Sequence, residues 1–197
     1  MTAPTPPDTP GRPARADARR NRDKLLAAAR DAFAAAEGPV PLEAVARGAG
    51  VGIGTLYRHF PTREALVEAV YAAELDEVTA SAPALLERLP PDAALRAWTD
   101  RYAAFVATKR GMADALRAGW ASGSIATPAT RERVTAALAT LLAAGAEAGT
   151  LRADADPEDV TVLLLGIFLA TAADADRGRT ARLLDLLVDA LRPTVSP

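Results

Sequence analysis

Residues 49–66, A-G-V-G-I-G-T-L-Y-R-H-F-P-T-R-E-A-L, constrain the fold of this chain more than any other stretch. Just upstream, Leu42, Val45, Ala46 and Ala49 recur at helical spacing, and Gly50 follows, free to take the left-handed conformation that ends a helix. Val51 can plug the angle between two helices. Ile53 to Phe60 then restart a helix whose Leu56 and Phe60 face inward, leaving Thr55, Arg58 and His59 directed elsewhere. Two short helices joined by a three- or four-residue glycine turn make a helix-turn-helix. The second helix of such a pair fits the major groove of duplex DNA, where each base pair presents its own pattern of donors and acceptors.

The rest of the chain reads as helices with clear stops, and no stretch alternates like a strand, so the predicted fold is all-α. A first helix spans about Arg20 to Ala36, with Leu26, Ala29 and Phe33 on one face, and stops at Gly38-Pro39. After the helix pair, Thr62 caps a fourth helix that presents Leu66, Val67, Val70 and Tyr71 and fades towards Pro83. Pro90-Pro91-Asp92 opens a helix to about Lys109 with Leu95, Trp98, Tyr102, Phe105 and Val106 as its stripe. A short helix follows from Met112 to Trp120, then one from Thr127-Pro128 to about Ala148. Asp156-Pro157-Glu158-Asp159 places acids against the start of a helix that is apolar nearly all round, and a last helix runs from about Ala181 to Leu191.

Composition removes whole classes of function. With no Cys and one His, disulfides, thiolate metal sites, Cys nucleophiles, His-containing triads and multi-histidine metal clusters are excluded within one chain. No catalytic residue, metal or cofactor is therefore expected. The Pro-rich opening residues read as a tail and not as a signal peptide, and the apolar run from Val160 to Ala173 is shorter than the roughly 18 residues that span a bilayer. A cytoplasmic protein without a membrane partner is expected. Charge is uneven: ten basic against six acidic residues up to Arg63, thirteen against nineteen beyond it, so the positive end coincides with the helix-turn-helix.

The G-T-L-Y-x-H-F run at Gly54–Phe60, followed by T-R-E-A-L at Thr62–Leu66, resembles the tetracycline-repressor (TetR) family of bacterial transcription factors. The likeness is strong from the basic run near Arg19 to about Glu77. Gly52 and Pro41 stand where family members often carry Ser or Thr, so a hydroxyl contact to phosphate is absent at these positions. The resemblance implies a tail (1–18), a helix-turn-helix DNA-binding domain (19–77, motif about 41–60) and a C-terminal effector-binding and dimerisation domain (78–197). Candidate DNA-binding residues are Arg19, Arg20, Arg22, Gly52, Ile53, Gly54, Thr55, Tyr57, Arg58, His59 and Arg63. Tyr57 reads as part of the core or as a phosphate contact, Thr55 as a cap or a contact, and His59 as a support or a contact. Arg58 is the candidate reader of guanine, and Arg63 matches a basic position that clamps the backbone in this family.

Trp98, Tyr102, Phe105, Trp120, Leu164 and Phe168 are core residues on the plain reading and pocket residues if the chain encloses an apolar effector as the family does. Both sides of the helix after Asp156 need covering, which predicts a homodimer interface at Val160, Leu164, Ile167, Phe168, Leu184, Leu187 and Leu191; in the family, two such helices from each subunit form a four-helix bundle. The expected partners are an operator in double-stranded DNA, a small-molecule effector and a second copy of the chain. The alternative is a helical small-molecule carrier or enzyme that keeps the helix pair as scaffold.

Overall fold

A computed structural model describes residues 12–36, 40–110, Met112, Leu116, 127–171 and 177–193. Among them are eight helices and no strand: α1 (Arg12–Ala35), α2 (Leu42–Gly48), α3 (Ile53–His59), α4 (Arg63–Leu86), α5 (Pro91–Arg110), α6 (Thr127–Glu147), α7 (Pro157–Ala170) and α8 (Arg177–Ala190). The expected stop at Gly38-Pro39 and most of the expected 112–120 helix, Trp120 included, lie outside the described residues.

A small head forms where α1 packs on α2 and α3. Leu25, Ala29 and Phe33, spaced at four, are buried on α1 and meet Val45, Ala46, Leu56 and Phe60. Leu26, expected on that stripe, is only partly buried. The helix also starts at Arg12, so residues 12–18, expected as tail, are helical. That first segment buries nothing the structure describes, and an arginine-rich helix with no apolar periodicity leaves no pattern to read.

α4 runs from the head into the body. The Thr62 hydroxyl caps it by accepting from the Ala65 N–H at 3.1 Å. It then passes through Pro83, where the sequence pattern fades, and ends at Leu86. Proline removes one ladder bond and crowds the preceding turn. Here the turns on both sides are anchored, with Val78, Ala82 and Leu85 buried and the Trp98 indole N–H donating to the Val78 carbonyl at 2.9 Å. Tertiary burial overrides the local breaker.

In the body α5 and α6 pack on α4, α7 on α6, and α8 on α5 and α7. Trp98 stacks on Tyr102 at 5.5 Å between centroids, and Tyr102 meets Phe105 at 5.7 Å and Phe168 at 5.5 Å. Tyr71 ties α4 to α6 through Thr130, with the two hydroxyl oxygens 2.9 Å apart. At the end of α6 a methyl on Gly145 would overlap the Leu151 side chain, which lies across that turn. The N–H groups of Thr150 and Leu151 both donate back to the Gly145 carbonyl, and Arg152 N–H donates to Leu191 O at 2.8 Å, fastening this bend to the end of α8.

Candidate nucleic-acid interface

The turn between α2 and α3 is built by backbone hydrogen bonds. Val51 N–H donates to Ala46 O at 3.0 Å and Gly50 N–H to Arg47 O at 3.1 Å, the paired bonds of a Schellman motif, with Gly50 at φ 67°. A left-handed φ is what makes glycine the favoured residue there. Val51 packs partly buried against the core behind it. α3 then starts from Gly52, whose carbonyl accepts from Thr55 and Leu56 at 2.9 and 3.2 Å, with no side chain capping the helix.

Leu56 and Phe60 pin α3 to the head, at 0% and 3% exposure. The opposite face carries Ile53 and Tyr57, exposed at 37% and 47%, together with Gly52, Gly54 and Arg58. A methyl added at Gly52 or Gly54 would meet nothing within 4 Å, so this face stands clear of the protein. Tyr57 points outward, which removes its reading as core. The Thr55 hydroxyl makes no hydrogen bond among the described residues, so it is not a cap. His59 is half-buried, its ring 6.3 Å from that of Phe60, as a support would be.

The arginines separate into two groups. Arg19 and Arg58 are exposed and have no ion-pair partner among the described residues. Arg20 is paired with Asp17 one turn earlier, and the Arg22 guanidinium lies 5.4 Å from the centre of the Phe60 ring. Arg63 departs most from expectation. Its Nη1 donates to the Val40 carbonyl and its guanidinium sits 5.9 Å from the Phe33 ring, so it stitches the start of α4 to the segment before α2. As found, it is a tie within the head, and a clamp on phosphate would have to break that tie. Sequence spacing could not show this, because Val40 is a distant carbonyl. Lys24 and Arg47 were not singled out from sequence, yet both are exposed and add to the head's basic surface.

The residues expected at a dimer seam lie elsewhere than a free surface. Val160, Leu164, Phe168, Leu184, Leu187 and Leu191 are all buried within this chain, and Ile167 is half-buried against the same core. α7 and α8 turn the expected stripe inward because α5 and α6 already offer it an apolar partner. What remains outside is the other side of the two helices: Val162 at 51%, Leu163 at 57%, Leu169 at 78% and Leu186 at 62% exposure.

The expected pocket residues Trp98, Tyr102, Phe105, Leu164 and Phe168 are buried and packed on one another. Four open cavities bounded by described residues lie beside this cluster, one of them touching it at Phe105. Burial pushes the Tyr102 phenol up to about 12. Lys109, over the rings of Tyr71 and Phe105 at 5.0 and 4.9 Å, is pushed down by burial. No group of three His, Cys, Asp or Glu among the described residues could hold a metal, and no helix there is long and apolar enough to cross a membrane.

Comparison with known proteins agrees with this geometry. Residues 25–70 match the family described as bacterial regulatory proteins, tetR family, and residues 90–193 match the C-terminal domain of SbtR-like transcriptional regulators. A TetR transcriptional regulator from Streptomyces coelicolor is 49% identical, with a TM-score of 0.80 over 88% of this chain and 99% of that one. A TetR regulatory protein from Mycobacterium vanbaalenii is 35% identical, with a TM-score of 0.69 over 91% of this chain and 99% of that one. SmeT, the repressor of a Stenotrophomonas maltophilia multidrug efflux pump, shares the fold at 20% identity and a TM-score of 0.57, covering 91% of this chain and 94% of that one. The comparison with curated proteins found no match. The helix-turn-helix head, the helical body behind it and these matches together establish that the chain belongs to the TetR family of DNA-binding transcriptional regulators.

Proposed function

We propose that the chain is a repressor that occupies a pseudo-palindromic operator as a homodimer and leaves it when a small molecule binds the body. The observation that carries the DNA half is the face of α3, where Ile53, Tyr57 and Arg58 are exposed beside two glycines that let the groove approach closely. In this reading Arg58 reads a base edge, Tyr57 and Thr55 touch phosphate or sugar, and Arg19, Arg20 and Arg22 follow the backbone. Residues 19–77 form the DNA-binding unit and 78–197 the effector and dimer unit, with residues 12–18 adding to the first helix.

The dimer forms through Val162, Leu163, Leu169 and Leu186, since four large apolar side chains on two adjacent helices make a patch that a second copy would cover. Such a two-fold pair of α3 helices reads half-sites about 34 Å apart, or a multiple of that. The effector pocket lies by Trp98, Tyr102, Phe105 and Phe168, where the neutral Tyr102 hydroxyl supplies a donor in apolar surroundings. The protein acts in the cytoplasm and catalyses no reaction. Titration of a fluorescent duplex carrying the protein's own upstream region, repeated from low to moderate salt, tests the DNA half. Affinity should fall steeply with salt as arginines displace counterions; a flat salt dependence would reject it.

A further inference from the structure

An open cavity of about 570 Å³ lies where α1 of the head meets α4 and α5 of the body. On α4, Glu74 and Glu77 stand one turn apart and already hold a guanidinium delivered by α1. Arg30 Nη1 is 3.3 Å from Glu74 Oε1 and 3.2 Å from Glu77 Oε2, and its Nε is 3.6 Å from Asp31. One nitrogen is thus shared between two carboxylates at the long end of the hydrogen-bond range, and the two-pronged seating that a guanidinium fork favours is not made. Beside this tethered cation the floor is apolar, made by Ala34, Val78, Ala104, Phe105 and Ala107, with space left by the alanines. The walls carry three carboxylates, Asp31, Glu74 and Glu77, against Arg30 and Arg101.

We propose that this joint is a ligand site for an amphipathic organic cation, an ammonium, amidinium or guanidinium group on an apolar body, which competes with Arg30 for Glu74 and Glu77. The ligand class follows from the occupant the site already has: a cation at the acid pair, with room on the apolar side for the body that Arg30 lacks. A free amidinium can approach both oxygens of one carboxylate, which the α1 tether denies to Arg30. Glu74 is the more buried of the two acids and its carboxyl is pushed up by that burial, so a better-seated cation relieves it. A further gap of about 180 Å³, bounded by Leu26, Ala27, Val70 and Ala73, flanks the ion pair, so α1 and α4 are not close-packed around it and Arg30 has somewhere to go. Displacing Arg30 loosens α1 from α4 and shifts the head on the body. This consequence rests on the DNA-binding reading, whereas the site itself does not.

The test uses the full chain and 4-phenylbutylammonium as probe, with 4-phenylbutyrate as the anionic control, by calorimetric titration. The ammonium should bind saturably and the carboxylate should not. Glu77→Gln, at an exposed position, should weaken binding at least tenfold while leaving the melting transition in place, and Ala104→Leu should weaken it by filling the floor. Arg30→Gln should tighten it several-fold, since a competitor is gone; a merely structural Arg30 would give loss instead. Absence of ammonium binding, equal binding of the carboxylate, indifference to Glu77→Gln and Ala104→Leu, or weakening by Arg30→Gln would each overturn the site. Duplex affinity should fall about threefold or more with the ammonium in the parent protein and stay constant in Glu77→Gln. Site-dependent binding without that fall overturns the coupling, and failure of the ligand-free protein to bind duplex overturns the DNA reading while the calorimetry still decides the site.

Discussion

Two patches of this molecule leave large apolar side chains in the open, and they differ in company. On α3, Ile53 and Tyr57 stand among glycines and Arg58, with the exposed Arg19, Lys24 and Arg47 on the same head. On α7 and α8, Val162, Leu163, Leu169 and Leu186 stand with one another. A patch of the first kind suits a polyanion with grooves, where charge supplies attraction and the apolar groups supply fit. A patch of the second kind suits another apolar surface, and removing that area from water is the whole of its attraction. Exposure alone does not distinguish the two; the neighbours do.

The largest effect expected from breaking this contrast is on assembly. Leu163→Glu with Leu186→Glu should leave the chain folded, yield monomer in sedimentation, and lower operator affinity by on the order of a hundredfold because half-sites are no longer read together. Leu187→Glu, by contrast, places a charge in the chain's own core, and should lower stability by several kcal/mol (about 3 or more). A dimer that survives the double change, or a Leu187→Glu chain that melts like the parent, would erase the distinction between the two faces of these helices.

The head patch should respond more modestly. Arg58→Ala is expected to cost about 1–3 kcal/mol at one operator position and little elsewhere, and Tyr57→Ala to weaken all duplexes alike. Competition binding over a set of single-base operator variants separates the two outcomes, and an unchanged preference in Arg58→Ala would remove it as a base reader. Arg63→Ala sharpens the line between surface and scaffold. With its side chain tied to the Val40 carbonyl and the Phe33 ring, its loss should cost about 1 kcal/mol of stability and leave the salt slope of duplex binding unchanged. A slope lowered by about one unit would make it a phosphate contact after all.

The smallest expected effect lies between the two patches, at Glu74. Burial raises this carboxyl from its ordinary value of 4.5, so folding binds its proton more tightly than the unfolded chain does. Its contribution therefore favours the folded state below about pH 4.5 and is lost as pH rises through the raised folded value. Glu74→Gln should flatten that part of the melting profile and leave the low-pH limb in place. A profile identical to the parent's above pH 4.5 would show that Arg30 offsets the burial completely.

Much of this was legible in the residues because it rests on local chemistry. The glycine turn, the Thr62 cap and the Asp156 cap, which accepts from Glu158 N–H at 2.7 Å, each announce a backbone geometry within four residues. What was not legible depends on partners distant in sequence. Which stripe of an all-round apolar helix turns inward is decided by α5 and α6, and α7 has apolar residues on both sides, so periodicity cannot choose. The passage of α4 through Pro83 depends on Trp98, and the inward use of Arg63 on a carbonyl in another segment. The start of α1 was missed for the opposite reason, since the described part of that stretch carries no apolar stripe to betray it.

The bend at Gly145 places a restriction on anyone who would harden this protein. Replacing a mid-helix glycine by alanine is an ordinary route to stability, worth up to about 1 kcal/mol through backbone entropy alone. At this position the new methyl and the Leu151 side chain claim the same volume. The usual gain reverses, and the two residues can be exchanged only as a pair, a larger one on the helix with a smaller one after the turn. A library that varies 145 and 151 separately should recover almost nothing at 145, and one that varies them together should find its tolerated combinations along that diagonal.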